Sequence, residues 1–180
     1  MSEPTTVTSS KPSFFIRHAK PQDVDIILQL IIDLATYEKA ADSVKATPEL
    51  LLKNLFGTSY ANTLLAFTGT EDAPGDAIGM ALYFFNFSTW TGRPGIYLED
   101  LFVKPETRGL GVGKALFGEL GKIAQEKNCG RIDWSVLKWN QPSIDFYEKT
   151  LDAFPMTEWM GMRLEEAGIE NLRKFALIKN

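Results

Sequence analysis

The chain has 180 residues, of which 44% are hydrophobic and 23% are charged, and this composition is typical of one globular domain. The chain has 19 lysines and arginines and 23 acidic residues, and its formal net charge of -4 does not attract nucleic acid. The single cysteine excludes an internal disulfide. With only one cysteine and one histidine, we expect no metal site. No apolar run approaches the roughly 20 residues of a membrane-spanning helix, so the sequence predicts a cytoplasmic protein without a membrane partner.

The first third of the chain predicts a tail, a strand and two helices. Residues 1–13 are rich in Ser, Thr and Pro and lack an apolar signal core, so we expect a flexible tail ahead of a single domain at residues 14–180. Residues 14–17 are apolar between prolines, as in a short strand. Apolar residues recur at helical spacing from Pro21 to about Glu38. A second, short helix begins at Thr47-Pro48-Glu49 and ends at Gly57.

The middle of the chain changes to strand-like patterns. Residues 63–68, 77–87 and 96–103 form three such runs, and turn-forming sequences at residues 72–76 and 91–95 separate them. Short connections between successive strands predict an antiparallel meander. The sequence then predicts a helix over residues 114–127, a buried strand over 131–137 and a helix over 141–149. A last strand over 160–164 and a helix over 165–175 complete a mixed α/β sheet.

A glycine-rich segment, Arg-Gly-Leu-Gly-Val-Gly-Lys at residues 108–114, lies between a predicted strand and a predicted helix. Glycines let a ligand approach the backbone closely, and the amides of a helix N-terminus attract anions. A P-loop would need glycine at Arg108 and a hydroxyl residue at Ala115, and a dinucleotide fingerprint that begins at Gly109 would need its last glycine at Lys114. A phosphate-binding turn and a glycine-rich turn without a ligand both stay open.

The pattern Arg-x-x-Gly-x-Gly after a β meander resembles the coenzyme A pyrophosphate loop of the GCN5-related N-acetyltransferase (GNAT) superfamily. The resemblance extends over nearly the whole chain and is closest to the diamine acetyltransferase branch, which includes spermidine/spermine and thialysine N-acetyltransferases. Four stretches carry it: IIDLATYE at residues 31–38, YLEDLFV at 97–103, RGLGVG at 108–113 and WNQPSIDFY at 139–147.

The resemblance implies a fold and a cofactor. The fold is a central, mostly antiparallel twisted sheet flanked by helices and splayed between its fourth and fifth strands, where coenzyme A is held. The cofactor is acetyl-CoA, and the assembly is a homodimer. The implied cofactor contacts are Leu101, Phe102, Val103, Arg108, Gly109, Leu110, Gly111, Val112, Gly113, Lys114, Asn140, Ser143 and Tyr147. Asn140 and Ser143 are equally consistent with ordinary helix caps.

The resemblance also implies two catalytic residues. An alkylammonium with a pKa near 10.4 must lose a proton before it can attack a thioester. Glu99 matches the family's base, acting directly or through water, and Tyr147 matches the general acid for the departing thiolate. Without the resemblance, Glu99 would be read as pairing with a cation at the sheet edge and Tyr147 as a core residue.

Substrate contacts are implied for a group of polar and aromatic residues. Tyr37 and Glu38 match a pair that contacts polyamines, with Glu99 between that pair and the thioester. Lys39, Ala40 and Ala41 follow where diamine relatives carry further acids. The other substrate-binding candidates are Trp90, Asp133, Trp134 and Ser135, although aromatic residues in a sheet usually serve packing.

The sequence therefore predicts an acetyl-CoA-dependent N-acetyltransferase that acts on a small diamine, polyamine or thialysine-like amino acid by direct attack in a ternary complex. Cys129 and Ser135 are poor candidates for a covalent intermediate, because the single histidine, His18, lies near the first predicted strand and no second histidine could activate either residue. The alternatives are a lysine or peptide N-acetyltransferase and a non-catalytic acyl-CoA sensor. Retention of both Glu99 and Tyr147 argues against the sensor.

Overall fold

A computed structural model describes residues 13–177, which form two compact units that divide between Ser135 and Val136. The tail predicted at residues 1–13 falls outside the described residues except for Ser13, and the single-domain expectation stays a prediction. In the first unit the strands are β1 (Phe14–His18), β2 (Asn62–Thr70), β3 (Ala73–Ser88), β4 (Arg93–Val103) and β5 (Ile132–Trp134), and the helices are α1 (Val24–Tyr37), α2 (Pro48–Leu51) and α3 (Val112–Glu126).

The five strands of the first unit form one open sheet in the order β1-β2-β3-β4-β5. Neighbouring strands are antiparallel from β1 to β4, and β5 runs parallel to β4. This arrangement confirms the predicted antiparallel meander and mixed sheet. The first hairpin turns at Glu71 and Asp72, so most of the turn predicted over residues 72–76 belongs instead to the irregular start of β3.

Helices cover both faces of the sheet. On one face, α3 packs Val112, Leu116 and Leu120 against alternate residues of β2, β3 and β4. On the other face, α1 packs Ile27 and Leu30 against the residues in between. Thr47 caps α2 by accepting a hydrogen bond from the Leu50 amide, and a π-helix at Leu52–Gly57 follows α2 directly. The predicted amphipathic patterns therefore produce two separate apolar layers.

A β-bulge interrupts the pairing of β3 with β4. Tyr83 pairs with Leu98 and Leu82 pairs with Asp100, so Glu99 is an extra residue in β4. The alternation of β4 side chains between the two faces of the sheet is therefore shifted by one residue after Glu99. Leu98 before the bulge and Leu101 after it consequently face the same apolar layer.

The fifth strand is shorter than the sequence predicts. It pairs with β4 only at residues 96–98 and ends at Trp134, whereas the predicted strand extends to Leu137. The bulge at Glu99 directly follows the last pair and disrupts the ladder that a longer β5 would need. Val136 and Leu137 are exposed as a result.

The second unit contains α4 (Gln141–Leu151) and α5 (Glu166–Asn171), and a 3-10 turn at Leu172–Phe175 follows α5. The strand predicted over residues 160–164 is wrong: the segment has no regular structure, and Met160 and Met162 are 84% and 87% exposed. Alternating apolar residues favour a strand only where another strand supplies the hydrogen-bond partners. Among residues 13–177, no helix has both the length and the apolar character that a membrane span requires.

Candidate active site

The loop between β4 and α3 combines a 3-10 turn at Pro105–Thr107 with two glycines in the left-handed region. Gly109 has a φ of 84° and Gly111 a φ of 94°. A Cβ atom at either position would meet nothing within 4 Å. The backbone conformation itself, and not crowding, therefore requires glycine at both positions.

The N-terminus of α3 follows this loop and is built to receive an anion. Its N-cap is Gly111, which has no side chain to satisfy the amides of the first turn. Leu110 packs on the apolar layer and Val112 is buried in it, so both offer only their backbone to a ligand. Gly113 lies in the first turn, and the Lys114 side chain is exposed beside it. Free amide donors and a positive helix end fit a phosphate group.

One edge of β4 is open within the first unit. Because β5 pairs only with residues 96–98, residues 99–103 have a strand neighbour on the β3 side alone. Leu101 and Val103 pack toward α3, and Phe102 is 4% exposed in the opposite layer. Packing occupies these three side chains, so a ligand could use only their backbone. An open strand edge fits an extended, amide-containing chain such as pantetheine.

Three carboxyl groups lie beside this edge. Glu99 is exposed at the bulge, Asp100 is half-buried, and half-buried Glu38 follows the last residue of α1. Burial raises the pKa of Asp100 to about 6, and the charges of Glu99 and Glu38 contribute to the rise. Burial also raises the pKa of Glu38 above its ordinary value. The combined negative charge favours a cationic ligand.

Arg108 joins the glycine loop to α1. Its Nε donates a hydrogen bond to the Val103 carbonyl at 3.1 Å, and its guanidinium carbon lies 4.9 Å from the centre of the Tyr37 ring. The predicted cofactor residue Arg108 and the predicted substrate residue Tyr37 are therefore in contact. The side chain of Arg108 is exposed, and that of Tyr37 is half-buried.

The three candidates on β5 and just after it make structural contacts. Asp133 forms an ion pair with Arg131 at 2.8 Å and accepts a hydrogen bond from Asn86 at 3.1 Å. Trp134 packs edge-on against Phe117 and belongs to the α3 layer. The Ser135 hydroxyl lies 2.9 Å from the Tyr97 hydroxyl. These contacts explain how the residues are held, and their substrate contacts stay predictions.

Trp90 lies in the turn at residues 89–92 between β3 and β4 and is 86% exposed. The predicted turn at residues 91–95 therefore begins and ends earlier than expected, because Arg93, Pro94 and Gly95 already belong to β4. At a rise of about 3.4 Å per residue, the start of β4 is roughly 20 Å from Glu99. The substrate contact of Trp90 stays a prediction.

The second unit carries the remaining predicted cofactor residues on α4. Asn140 is 6% exposed and caps the helix, because its side-chain oxygen accepts a hydrogen bond from the Ser143 amide at 3.4 Å. Tyr147 is half-buried two turns along the helix, and its ring lies 5.6 Å from that of Phe146. The capping interpretation of Asn140 is confirmed, and cofactor contacts of Asn140, Ser143 and Tyr147 stay predictions.

Sequence reasoning missed Asp100. In a regular strand, Asp100 would share a face with Leu98, and a carboxyl group there would enter the α3 layer. The bulge at Glu99 removes this conflict and turns Asp100 toward the α1 side. The signal was the acidic pair itself, since a regular strand would turn one carboxyl group toward each apolar layer, and a bulge is one way to avoid that cost.

A family model described as the acetyltransferase (GNAT) family matches residues 31–152. The thialysine N-epsilon-acetyltransferase of Sus scrofa is 40% identical over 169 residues, which cover 89% of this chain and 97% of that protein. A Homo sapiens spermidine/spermine N(1)-acetyltransferase-like protein 1 is 35% identical over 142 residues, which cover 77% of this chain and 20% of that longer protein.

Solved structures share the fold. An integron cassette protein from the mobile metagenome of V. cholerae superposes with a TM-score of 0.71 at 26% identity, covering 90% of this chain and 98% of that one. An aminoglycoside acetyltransferase from a soil metagenome, solved with trehalose, gives a TM-score of 0.69 at 20% identity. It covers 84% of this chain and 97% of its own.

Proposed function

The chain belongs to the GNAT family of acetyltransferases and is an N-acetyltransferase, and from this premise we propose that it transfers the acetyl group of acetyl-CoA to the primary amine of a small diamine, polyamine or thialysine-like amino acid. One observation carries the proposal: the glycine loop follows the end of β4, and its Arg108 contacts Tyr37, the residue before Glu38, while Glu38 and Glu99 are close enough to Asp100 to act on its charge. A phosphate-binding element is thus next to a cation-binding one.

The residues of the first unit fit coenzyme A. The amides of residues 112–114 at the start of α3 and the exposed cation of Lys114 suit its phosphates, and the open edge at residues 101–103 suits its pantetheine arm. When bound, acetyl-CoA supplies the acetyl group as an activated thioester. Arg108 adds a second cation at the start of the loop.

In the proposal, the three carboxyl groups have different roles toward the amine. Glu99 is exposed and therefore reachable by substrate or by a bridging water, and in the proposal it accepts the ammonium proton. Asp100 and Glu38 supply negative charge that holds the ammonium group close. Direct attack in a ternary complex follows, since the single histidine, His18, ends β1, which β2 and β3 separate from β4.

Tyr147 is the proposed proton donor to the departing thiolate, and Asn140 and Ser143 are proposed cofactor contacts. These roles come from the match of residues 139–147 to the family pattern. Tyr147→Phe should therefore lower turnover much more than it weakens acetyl-CoA binding. Equal losses in the two quantities would make Tyr147 a cofactor-positioning residue instead.

Within this substrate class, the charges near Glu38 favour an aminoalkyl amino acid. Lys39 follows Glu38 directly and is exposed at the end of α1, with a φ of 61°. A lysine there repels a second ammonium group and attracts a carboxylate. The 40% identity to a thialysine N-epsilon-acetyltransferase supports the same choice. A homodimer, on the resemblance alone, and a cytoplasmic location, on the sequence alone, are also part of the proposal.

Two other functions compete with this one. A lysine side chain on a peptide carries the same reacting amine, and a non-catalytic acyl-CoA sensor would bind the cofactor without turnover. The sensor is disfavoured because Glu99 is exposed on an open edge, a placement that serves proton transfer and contributes little to packing.

The test is a free-thiol release assay with acetyl-CoA and a panel of thialysine, lysine, putrescine, spermidine, spermine and a histone-tail peptide. We expect release with small amines, fastest with thialysine, and loss of release in Glu99→Gln. Release with peptide alone would move the function to protein acetylation. Silence across the panel, with acetyl-CoA binding intact by calorimetry, would support the sensor.

A further inference from the structure

Two groups outside the glycine loop hold the side chain of Arg108. The Val103 carbonyl accepts a hydrogen bond from Nε, and the guanidinium carbon lies over the Tyr37 ring, 4.9 Å from its centre. Neither contact uses the terminal nitrogens Nη1 and Nη2. These two nitrogens carry the paired donors that suit phosphate oxygens.

An exposed arginine without such contacts would sample many rotamers. Fixing a long side chain when a ligand binds weakens affinity by about two- to tenfold. Here the ring and the carbonyl already restrict the guanidinium before a ligand arrives. The cost of ordering Arg108 is therefore met by contacts within the fold.

We propose that Tyr37 is a positioning residue for coenzyme A: its ring holds Arg108 ready for a phosphate group, so a residue at the end of α1 also sets cofactor affinity. The inference rests on the proposed function, since it takes coenzyme A as the phosphate-bearing ligand. It extends that function because Tyr37 is otherwise assigned to the amine alone. Amine and cofactor affinities become linked through the Arg108–Tyr37 contact, each changing the other by the same factor.

The experiment measures the Kd of coenzyme A by calorimetry without any amine. Tyr37→Leu removes the ring and should raise Kd about two- to tenfold. Tyr37→Phe keeps the ring and should bind like the unaltered chain. In an Arg108→Ala background, Tyr37→Leu should have no further effect, because the ring then has no guanidinium to hold.

Lys114→Ala is the matched control. It removes another cation at the loop, so Kd should rise, but Tyr37→Leu should still raise it by the same factor in that background. Arg108→Lys keeps the charge but loses the Nε hydrogen bond to the Val103 carbonyl, so Tyr37→Leu should raise Kd less in that background than in the unaltered chain. Thermal unfolding of each variant verifies that it folds.

Unchanged Kd in Tyr37→Leu would overturn the inference, as would an equal rise with and without Arg108. Both results leave the proposed function intact, because the unaltered chain still binds coenzyme A. Failure of the unaltered chain to bind coenzyme A would reject the proposed function and the positioning role together.

Discussion

Glu99 and Asp100 are adjacent acids with different surroundings. Glu99 is the extra residue of the bulge and is exposed, whereas Asp100 is half-buried and holds its proton up to a pH of about 6. Two carboxyl groups in unlike environments can take different parts in one reaction. We assign proton transfer to Glu99 and charge complementarity to Asp100.

Glu99→Gln should lower the acetylation rate by about a hundredfold at pH 7, because a glutamine amide cannot accept the ammonium proton. The deficit should shrink as pH rises toward the pKa of the amine, where free amine becomes abundant. Initial rates between pH 6.5 and 9.5 test this expectation. A constant ratio between the variant and the unaltered chain over that range would remove Glu99 as the base.

Asp100→Asn should stabilise the protein at neutral pH. Because its folded-state pKa is raised from 3.8 to about 6, Asp100 contributes stability below its unfolded pKa and loses that contribution as pH rises through 6. The difference between the folded and unfolded pKa values corresponds to at most about 3 kcal/mol. Partial solvent exposure reduces the expected gain in the free energy of unfolding to about 1–2 kcal/mol at pH 7.5. Urea unfolding at pH 7.5 and pH 4 measures it. An equal gain at both values would contradict the ionisation argument.

Single residues were predictable where their chemistry is local. The glycine pattern predicted a turn between a strand and a helix, and Gly109 and Gly111 form part of that turn with a left-handed backbone. The contact of Arg108 with Tyr37 was not predictable, because it joins residues 71 positions apart whose approach depends on how α1 packs on the sheet. Motif spacing contains no information about such a contact.

At the scale of elements, the bulge in β4 determines the shape of the site. It ends the β4–β5 ladder at Leu98, leaves residues 99–103 open on one edge and turns Asp100 toward α1. Hydrophobic periodicity predicted β2, β3, β4, α1 and α3 with small errors at their ends. The length of β5 was mispredicted, because an apolar run forms a strand only as far as its neighbour offers a regular ladder.

The start of α3 supplies a test at this scale. Gly111→Ala forces a Cβ onto a φ of 94° and should cost about 1–2 kcal/mol of stability while weakening coenzyme A binding. Gly118→Ala, in the open middle of the same helix, should instead add up to about 1 kcal/mol and leave binding unchanged. Urea unfolding and calorimetry on both variants measure the contrast. Equal effects of the two changes would show that the loop conformation is not required.

At the scale of the whole molecule, the net charge of -4 and the carboxyl group cluster act together on a cationic substrate. Raising ionic strength from 0.05 to 0.5 M should lower kcat/KM for the amine by about two- to fivefold. Glu38→Gln should flatten this dependence, whereas Glu126→Gln, at the exposed end of α3, should not. Steady-state rates over a salt series test it. An unchanged slope in Glu38→Gln would exclude this carboxyl group from attracting the substrate.

Predictability also declined toward the end of the chain. In the first unit, alternating patterns find strand partners and were assigned correctly as strands. In the second, Met160, Met162 and Leu164 alternate in the same way and form no strand. An alternating apolar pattern predicts which side chains share a face, but it does not show whether a neighbouring strand is present to pair with.

The extra residue at Glu99 also limits how this protein can be recombined with others. Because the halves of β4 before and after the bulge are offset by one position, a chimera that joins them across relatives must preserve the residue count. Loss of one residue would exchange Leu101 and Val103 with Phe102 between the two apolar layers. The bulge thus fixes which residues of β4 face each apolar layer, and only exchanges that keep the residue count of β4 should yield folded hybrids.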